Sequence, residues 1–257
     1  MTNKKTLSLL NLISFIIMLG VNALATFNFL GASTKELSDA NPSLLMPIGL
    51  TFSIVWTLIY VLLIIYVIKQ LIKKDDPFVK DISFLFLMSN IFNTLWILSY
   101  HAKLQFISNV VIIALLVTLF MIVRKTSSTS FITKMTFSIY YGWISVATLV
   151  SLFSYISSFN PDNFDSTLMR VLVGVAAVIM FIMTLVRNKD YPYIATIVFS
   201  MFGILFKHIL DFNGKYPEII VILLIGIIMT LVICIASIIN KDGIFEDDDY
   251  VNEGGAY

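Results

Sequence analysis

The chain has 257 residues, 58% hydrophobic and only 13% charged, with a mean hydropathy of +0.92. A water-soluble domain carries about 25% charged residues, so most of this chain's surface faces something other than water. The net charge of +1 gives no reason to expect a nucleic-acid partner, and one cysteine, Cys234, excludes an internal disulfide framework.

A bilayer core of about 30 Å is crossed by about 20 apolar helical residues. Eight stretches qualify: 7–30, 44–68, 82–100, 104–123, 131–156, 168–186, 193–210 and 219–239. They are continuous apolar runs without period-two alternation, which predicts helices rather than barrel strands. The expected fold is an all-α integral membrane protein with eight transmembrane helices. Lys4 and Lys5 followed by an apolar run and Ala23-Leu24-Ala25 also resemble a cleavable secretory signal. The run is longer than such a signal's core of about 7–15 residues, so a retained helix is expected.

Lys and Arg set the orientation. With the N-terminus in the cytoplasm, Lys4, Lys5, Lys69, Lys73, Lys74, Lys80, Arg124, Lys125, Lys134, Arg187, Lys189 and Lys241 fall inside. Lys35, Lys103, Arg170, Lys207 and Lys215 fall outside. Both termini are therefore expected in the cytoplasm. The end of the chain, with Glu246, Asp247, Asp248, Asp249 and Glu253, reads as an acidic disordered tail.

Catalytic inventories are nearly empty. His101 and His208 are far apart in sequence and lack metal-site spacing, and phosphate-loop and nucleophile-elbow patterns are absent. No metal site is expected, and no Asp or Glu lies mid-span where an ion relay would need one. Arg170, Lys207 and His208 read as anchors near the outer surface, and Tyr66 as an interfacial one. Gly174, Ala176 and Ala177 offer a small-residue surface for close helix approach.

What remains is aromatic and amide chemistry. Phe52, Trp56 and Tyr60 form one stripe of the second span. Asn93 and Trp96 share a face of the third, and Tyr140, Trp143, Ala147 and Ser151 follow one stripe of the fifth. Large rings beside a small Ala and a few hydrogen-bonding groups suit a flat, largely apolar ligand. The same stripes also serve simple packing, and periodicity alone favours packing over a pocket, which needs the stripes to converge.

The order of these residues resembles a known family. Pro47-Ile48-Gly49-Leu50-Thr51-Phe52-Ser53-Ile54-Val55-Trp56-Thr57-Leu58-Ile59-Tyr60 is similar to the "PPGWVFxxVWTxLY" signature of the TspO/MBR family, the tryptophan-rich sensory proteins. Asn93-Thr94-Leu95-Trp96 resembles its "NxxW", and Tyr140-Tyr141-Gly142-Trp143-Ile144-Ser145-Val146-Ala147-Thr148 its "PYxxWxSFAT". The three matches fall in order and absorb all three Trp. Ile48, Leu50, Ile139 and Ser151 stand where the family has Pro, Trp, Pro and often Asn.

The resemblance covers residues 7 to about 156. It implies a five-helix domain over 1–157, which leaves three additional spans over 158–243 without a recognised family counterpart and the tail over 244–257. It further implies a pocket for a hydrophobic small molecule of the porphyrin or haem-like class, acting as sensor, scavenger or carrier. Its lining would come from Phe52, Trp56, Asn93, Trp96, Tyr140, Trp143, Ala147 and Ser151. No cofactor is required for such a role, and the expected location is the bacterial cytoplasmic membrane. Light-dependent porphyrin breakdown is the one enzymatic activity that the resemblance brings with it. A small-molecule permease and an accessory subunit of a membrane complex are the alternatives. The partners to expect are the bilayer, the small molecule and a second copy of the chain.

Overall fold

The computed structural model describes residues 4–32, 34–39, 43–72, 77–126, 130–187 and 189–240. These form α1 (Lys4–Thr26), α2 (Thr34–Asp39), α3 (Gly49–Ile72), α4 (Pro77–His101) and α5 (Gln105–Val123). They continue with α6 (Phe131–Ser157), α7 (Thr167–Val186), α8 (Tyr191–Leu210) and α9 (Pro217–Asn240). Eight of the nine are long and apolar enough to cross a membrane, and the described residues hold no strand. The acidic tail, Lys73, Lys74 and Lys241 lie outside the described residues.

The spans manage their polar residues in a way that low-dielectric surroundings demand. Buried hydroxyls bond back to the carbonyl one turn earlier: Thr118 to Ala114, Thr148 to Ile144, Ser200 to Thr196 and Thr230 to Gly226, at 2.7–2.8 Å. Such bonds satisfy the side chain without a partner helix. Outward faces are apolar instead. On α9, Val221, Ile225, Ile228, Val232 and Ile235 are all more than half exposed, which fits contact with lipid and not with water.

α1 packs on α4, α4 on α5, α5 on α6 and α3 on α6, while α1 scarcely meets α3. α8 lies along α6 and touches α3, and α9 packs on both α7 and α8. Two apolar cores result. One is built from α1, α3, α4, α5 and α6. The other joins the later part of α6 to α7, α8, α9 and the connection residues Leu44 and Leu45. Gly142 permits the α6–α8 crossing, since a Cβ there would stand 3.1 Å from Thr196 Cβ and 3.2 Å from the Tyr193 carbonyl oxygen. Gly174 of α7 faces Ile222 of α9 without so tight an approach, since a Cβ there would meet only the Ile222 Cδ1 at an ordinary 3.4 Å.

The ends of the second span differ from the sequence reading. That span begins at Gly49, not Leu44, because Pro47 has no N–H and holds its predecessor out of helical geometry. The first span ends at Thr26 and not Leu30, and the chain then turns through Asn28 (φ 63°) and Gly31 (φ 99°). Asn and Gly tolerate that left-handed region.

Two expected anchors are interior residues. Tyr66 is buried against Phe86 and Phe137, at centroid distances of 5.1 and 4.9 Å. His208 is 0% exposed, enclosed by Phe212 and Tyr216. Helical period correctly places each near a span end, but which side of the helix faces the bundle is decided by neighbours. Arg170 does reach the surface, where it pairs with Glu218 at 3.0 Å. At the opposite end of α7, Arg187 pairs with the buried Asp190 and lies over the rings of Tyr141 and Tyr193. Ser138 donates to the same carboxylate at 2.9 Å.

Candidate functional site

α3 carries Phe52, Trp56 and Tyr60 one turn apart, and the stripe points at α4 and α6. Trp56 stacks on Trp96 of α4 with centroids 5.9 Å apart, and on Tyr60 at 5.4 Å. It meets Trp143 and Tyr140 of α6 edge-on, both at 6.3 Å. Phe52 closes the group, with its centroid 5.6 Å from that of Trp143. All three indoles are buried, Trp143 to 2% exposure. Offset and edge-to-face arrangements of this kind are the favoured aromatic geometries.

Beneath the rings a hydrogen-bonded series links four helices. The Tyr60 hydroxyl donates to Asn22 Oδ1 at 2.8 Å, and Asn22 Nδ2 donates to Asn93 Oδ1 at 2.8 Å. Asn93 Nδ2 in turn donates to the Tyr140 hydroxyl oxygen at 2.9 Å. Asn93 and Tyr140 are fully buried. They support the rings from behind and border neither of the two spaces described next.

The first space is a cavity of about 80 Å³ bordered by Phe52, Trp96, Trp143, Ala147 and Ser151. Its remaining wall comes from α5 and the end of α6, with Met46 and Pro47 as part of its cover. Five buried polar atoms on this lining have no partner among the described residues: Trp96 Nε1, Trp143 Nε1, Ser108 Oγ, Asn109 Oδ1 and Ser154 Oγ. Asn109 Nδ2 is engaged by the Gln105 carbonyl at 2.9 Å, which leaves its oxygen free for a donor.

The second space is a cleft of about 670 Å³ between α1 and α3, bordered by Asn22, Trp56, Tyr60 and Phe27 among others. Ala23, Ser53 and Thr57 on its walls are exposed, so it opens on the outside of the bundle. Phe52 and Thr34 border both spaces and separate them.

Of the eight residues singled out from the sequence, Phe52, Trp96, Trp143, Ala147 and Ser151 border the cavity. Trp56 and Phe52 border the cleft. Sequence reasoning missed Asn22, Ser108, Asn109 and Ser154. Ser154 was within reach, because continuing the α6 stripe one more turn past Ser151 arrives at 154 and 155. Ser108 and Asn109 also carried a signal, as adjacent polar residues in the first turn of an otherwise apolar span. Asn22 carried none, since its role depends on α1 crossing α4. Among the described residues no group of three His, Cys, Asp or Glu could hold a metal ion.

The family described as "TSPO-like protein" matches this chain over residues 8–237. The match runs from α1 into α9, beyond the five spans that carry the recognisable motifs. No curated protein and no solved structure matches. Motifs on α3, α4 and α6 converge on one ring cluster inside an eight-span bundle, and the family match takes in every span. The chain belongs to the TSPO-like protein family and is an integral membrane protein of the TspO type.

Proposed function

We propose that this protein binds a flat, largely apolar small molecule of the tetrapyrrole class where α3, α4 and α6 meet, acting as sensor, scavenger or carrier. The unpartnered polar atoms around an otherwise apolar cavity carry this reading. A buried polar atom without a partner costs about 1–3 kcal/mol. Five around one void form a set that a ligand can satisfy. The two indole N–H groups ask for acceptors on the ligand's edge, and Asn109 Oδ1 asks for a donor.

Size refines the pose. About 80 Å³ is less than the roughly 150 Å³ of an engineered cavity that takes up benzene. Small-molecule pockets hold about 300–1,000 Å³, a range that the α1–α3 cleft reaches. A porphyrin-sized ligand would lie in the cleft against Trp56 and extend one edge toward Trp96 and Trp143 once Phe52 turns aside. Ring burial at about 25 cal/mol per Å² supplies most of the affinity. The excess of Lys and Arg on one side supports a topology with both termini in the cytoplasm, in which the cavity would lie toward the outer face.

Titrating protoporphyrin IX into the detergent-purified protein tests the reading through Trp fluorescence. Saturable quenching that weakens in Trp143→Phe is expected. Quenching that never saturates, or that is identical in the variant, sinks the proposal. Uptake of the porphyrin into proteoliposomes, driven by its gradient, would move the assignment from binder to transporter.

A further inference from the structure

α7, α8 and α9 contribute nothing to the lining of the Trp cavity, yet α8 holds part of its cover. Met46 and Pro47 border the cavity and belong to the segment Ser43–Ile48, which has no helix of its own. Leu44 and Leu45 are buried in the core shared with α7, α8 and α9. The Ile48 N–H donates to the Gly203 carbonyl of α8 at 3.0 Å. His208, five residues further along α8, places Nε2 2.8 Å from the Leu44 carbonyl oxygen. A carbonyl only accepts, so Nε2 carries the proton. At Gly203 the two backbones come close, and a Cβ there would stand 2.8 Å from Thr51 Cβ. The other end of the same connection is held alike: Thr34, which borders both spaces, has its hydroxyl 3.0 Å from His101 Nε2. The chain's two histidines thus fasten the two ends of the connection that runs past the cavity.

We propose that Gly203 and His208 of α8 are positioning residues for the Trp cavity. They fix Ser43–Ile48 in the pose in which Met46 and Pro47 close it, so the C-terminal helices set access and affinity without touching the ligand. The inference rests on the ligand-binding reading above for its affinity arm and on geometry alone for its access arm.

The test uses full-length protein with Cys234→Ala and Met46→Cys, and measures the rate of maleimide labelling at position 46 in micelles. Adding His208→Ala raises that rate roughly tenfold, the effect on a closing equilibrium of losing one hydrogen bond of ordinary net strength. His208→Gln, whose amide can still donate to Leu44, restores the slow rate. In protein with Met46 intact, protoporphyrin IX affinity follows the same order, falling roughly tenfold in His208→Ala and recovering in His208→Gln. Unchanged labelling and affinity in folded His208→Ala overturn the proposal. Faster labelling without any porphyrin binding by the wild-type protein upholds the α8 latch and removes only the ligand reading. Should His208→Ala fail to fold, amide exchange in the unaltered protein decides. A slowly exchanging Ile48 N–H supports the latch, and exchange at the rate of an unbonded loop refutes it.

Discussion

Trp56 and Trp96 lie face to face across the α3–α4 boundary, their planes 23° from parallel and their centroids 5.9 Å apart. Trp143 stands edge-on to Trp56, with 83° between the planes. The three indoles therefore differ in role. Trp56 is the hub, touching four other ring systems besides Trp96, whereas Trp96 and Trp143 present surface to the cavity.

Trp56→Ala should accordingly be costly to the fold itself. A loss of about 3–5 kcal/mol is expected, the usual range for emptying a buried Trp position. Trp143→Phe keeps a ring in place and should cost less than about 2 kcal/mol. Denaturant unfolding in mixed micelles would rank the two, and equal losses would contradict the hub assignment.

Asn93 sits between Asn22 and Tyr140 and bonds to both. Asn93→Ala strands two buried partners at once, so a destabilisation of about 1–3 kcal/mol is expected. Asn93→Asp should do no better, since a carboxyl at this fully buried position carries the desolvation cost of its charged form. Thermal melts of the purified variants measure both.

Phe52 stands between cavity and cleft. Phe52→Ala should merge the two spaces and speed porphyrin association several-fold, as expected where a moving side chain gates entry. Stopped-flow quenching reads the rate. An association rate equal to wild type would show that entry does not pass this ring.

The eight crossings and the residues of the ring cluster were legible in the sequence because both rest on local pattern: apolar run length for the first, helical spacing for the second. The pattern that puts Trp143 one turn from Ala147 also puts them on one wall. What pattern could not supply was the meeting of segments distant in the chain. His208 reads as an interfacial residue until Leu44 is set beside it, 164 positions away. Asn22 reads as an incidental amide in an apolar helix until α1 is laid on α4. Leu44, Leu45 and Met46 are apolar enough to read as the start of a span despite Pro47. Their apolarity serves the second core and not the bilayer.

Asp165 accepts from Lys215 at 2.7 Å and from the Tyr216 hydroxyl at 2.8 Å, tying the turn before α7 to the turn before α9. Those donors, Lys215 first, hold its carboxyl below the usual 3.8, and the bond to Asp165 raises Lys215 above its usual 10.5. The carboxylate's contribution is present above its unfolded value and fades as pH falls through the lowered one. The ammonium's contribution fades only as pH rises past its raised value. The stability difference between wild type and Asp165→Asn should then be small and constant from about pH 5 to 9, and shrink in stronger acid. A difference that drifts with pH inside that window would contradict the assignment.

The series Tyr60, Asn22, Asn93, Tyr140 has one polarity: each of its three linking hydrogen bonds is donated in the same direction, from the cleft wall toward α6. Its first two members border the open cleft and its last two are sealed in the bundle. An incoming acceptor that captures the Tyr60 proton removes the donor on which Asn22 relies, and each amide downstream must then find a new balance. A change at the cleft wall would in this way reach the sealed Asn93 and Tyr140 through side-chain hydrogen bonds alone.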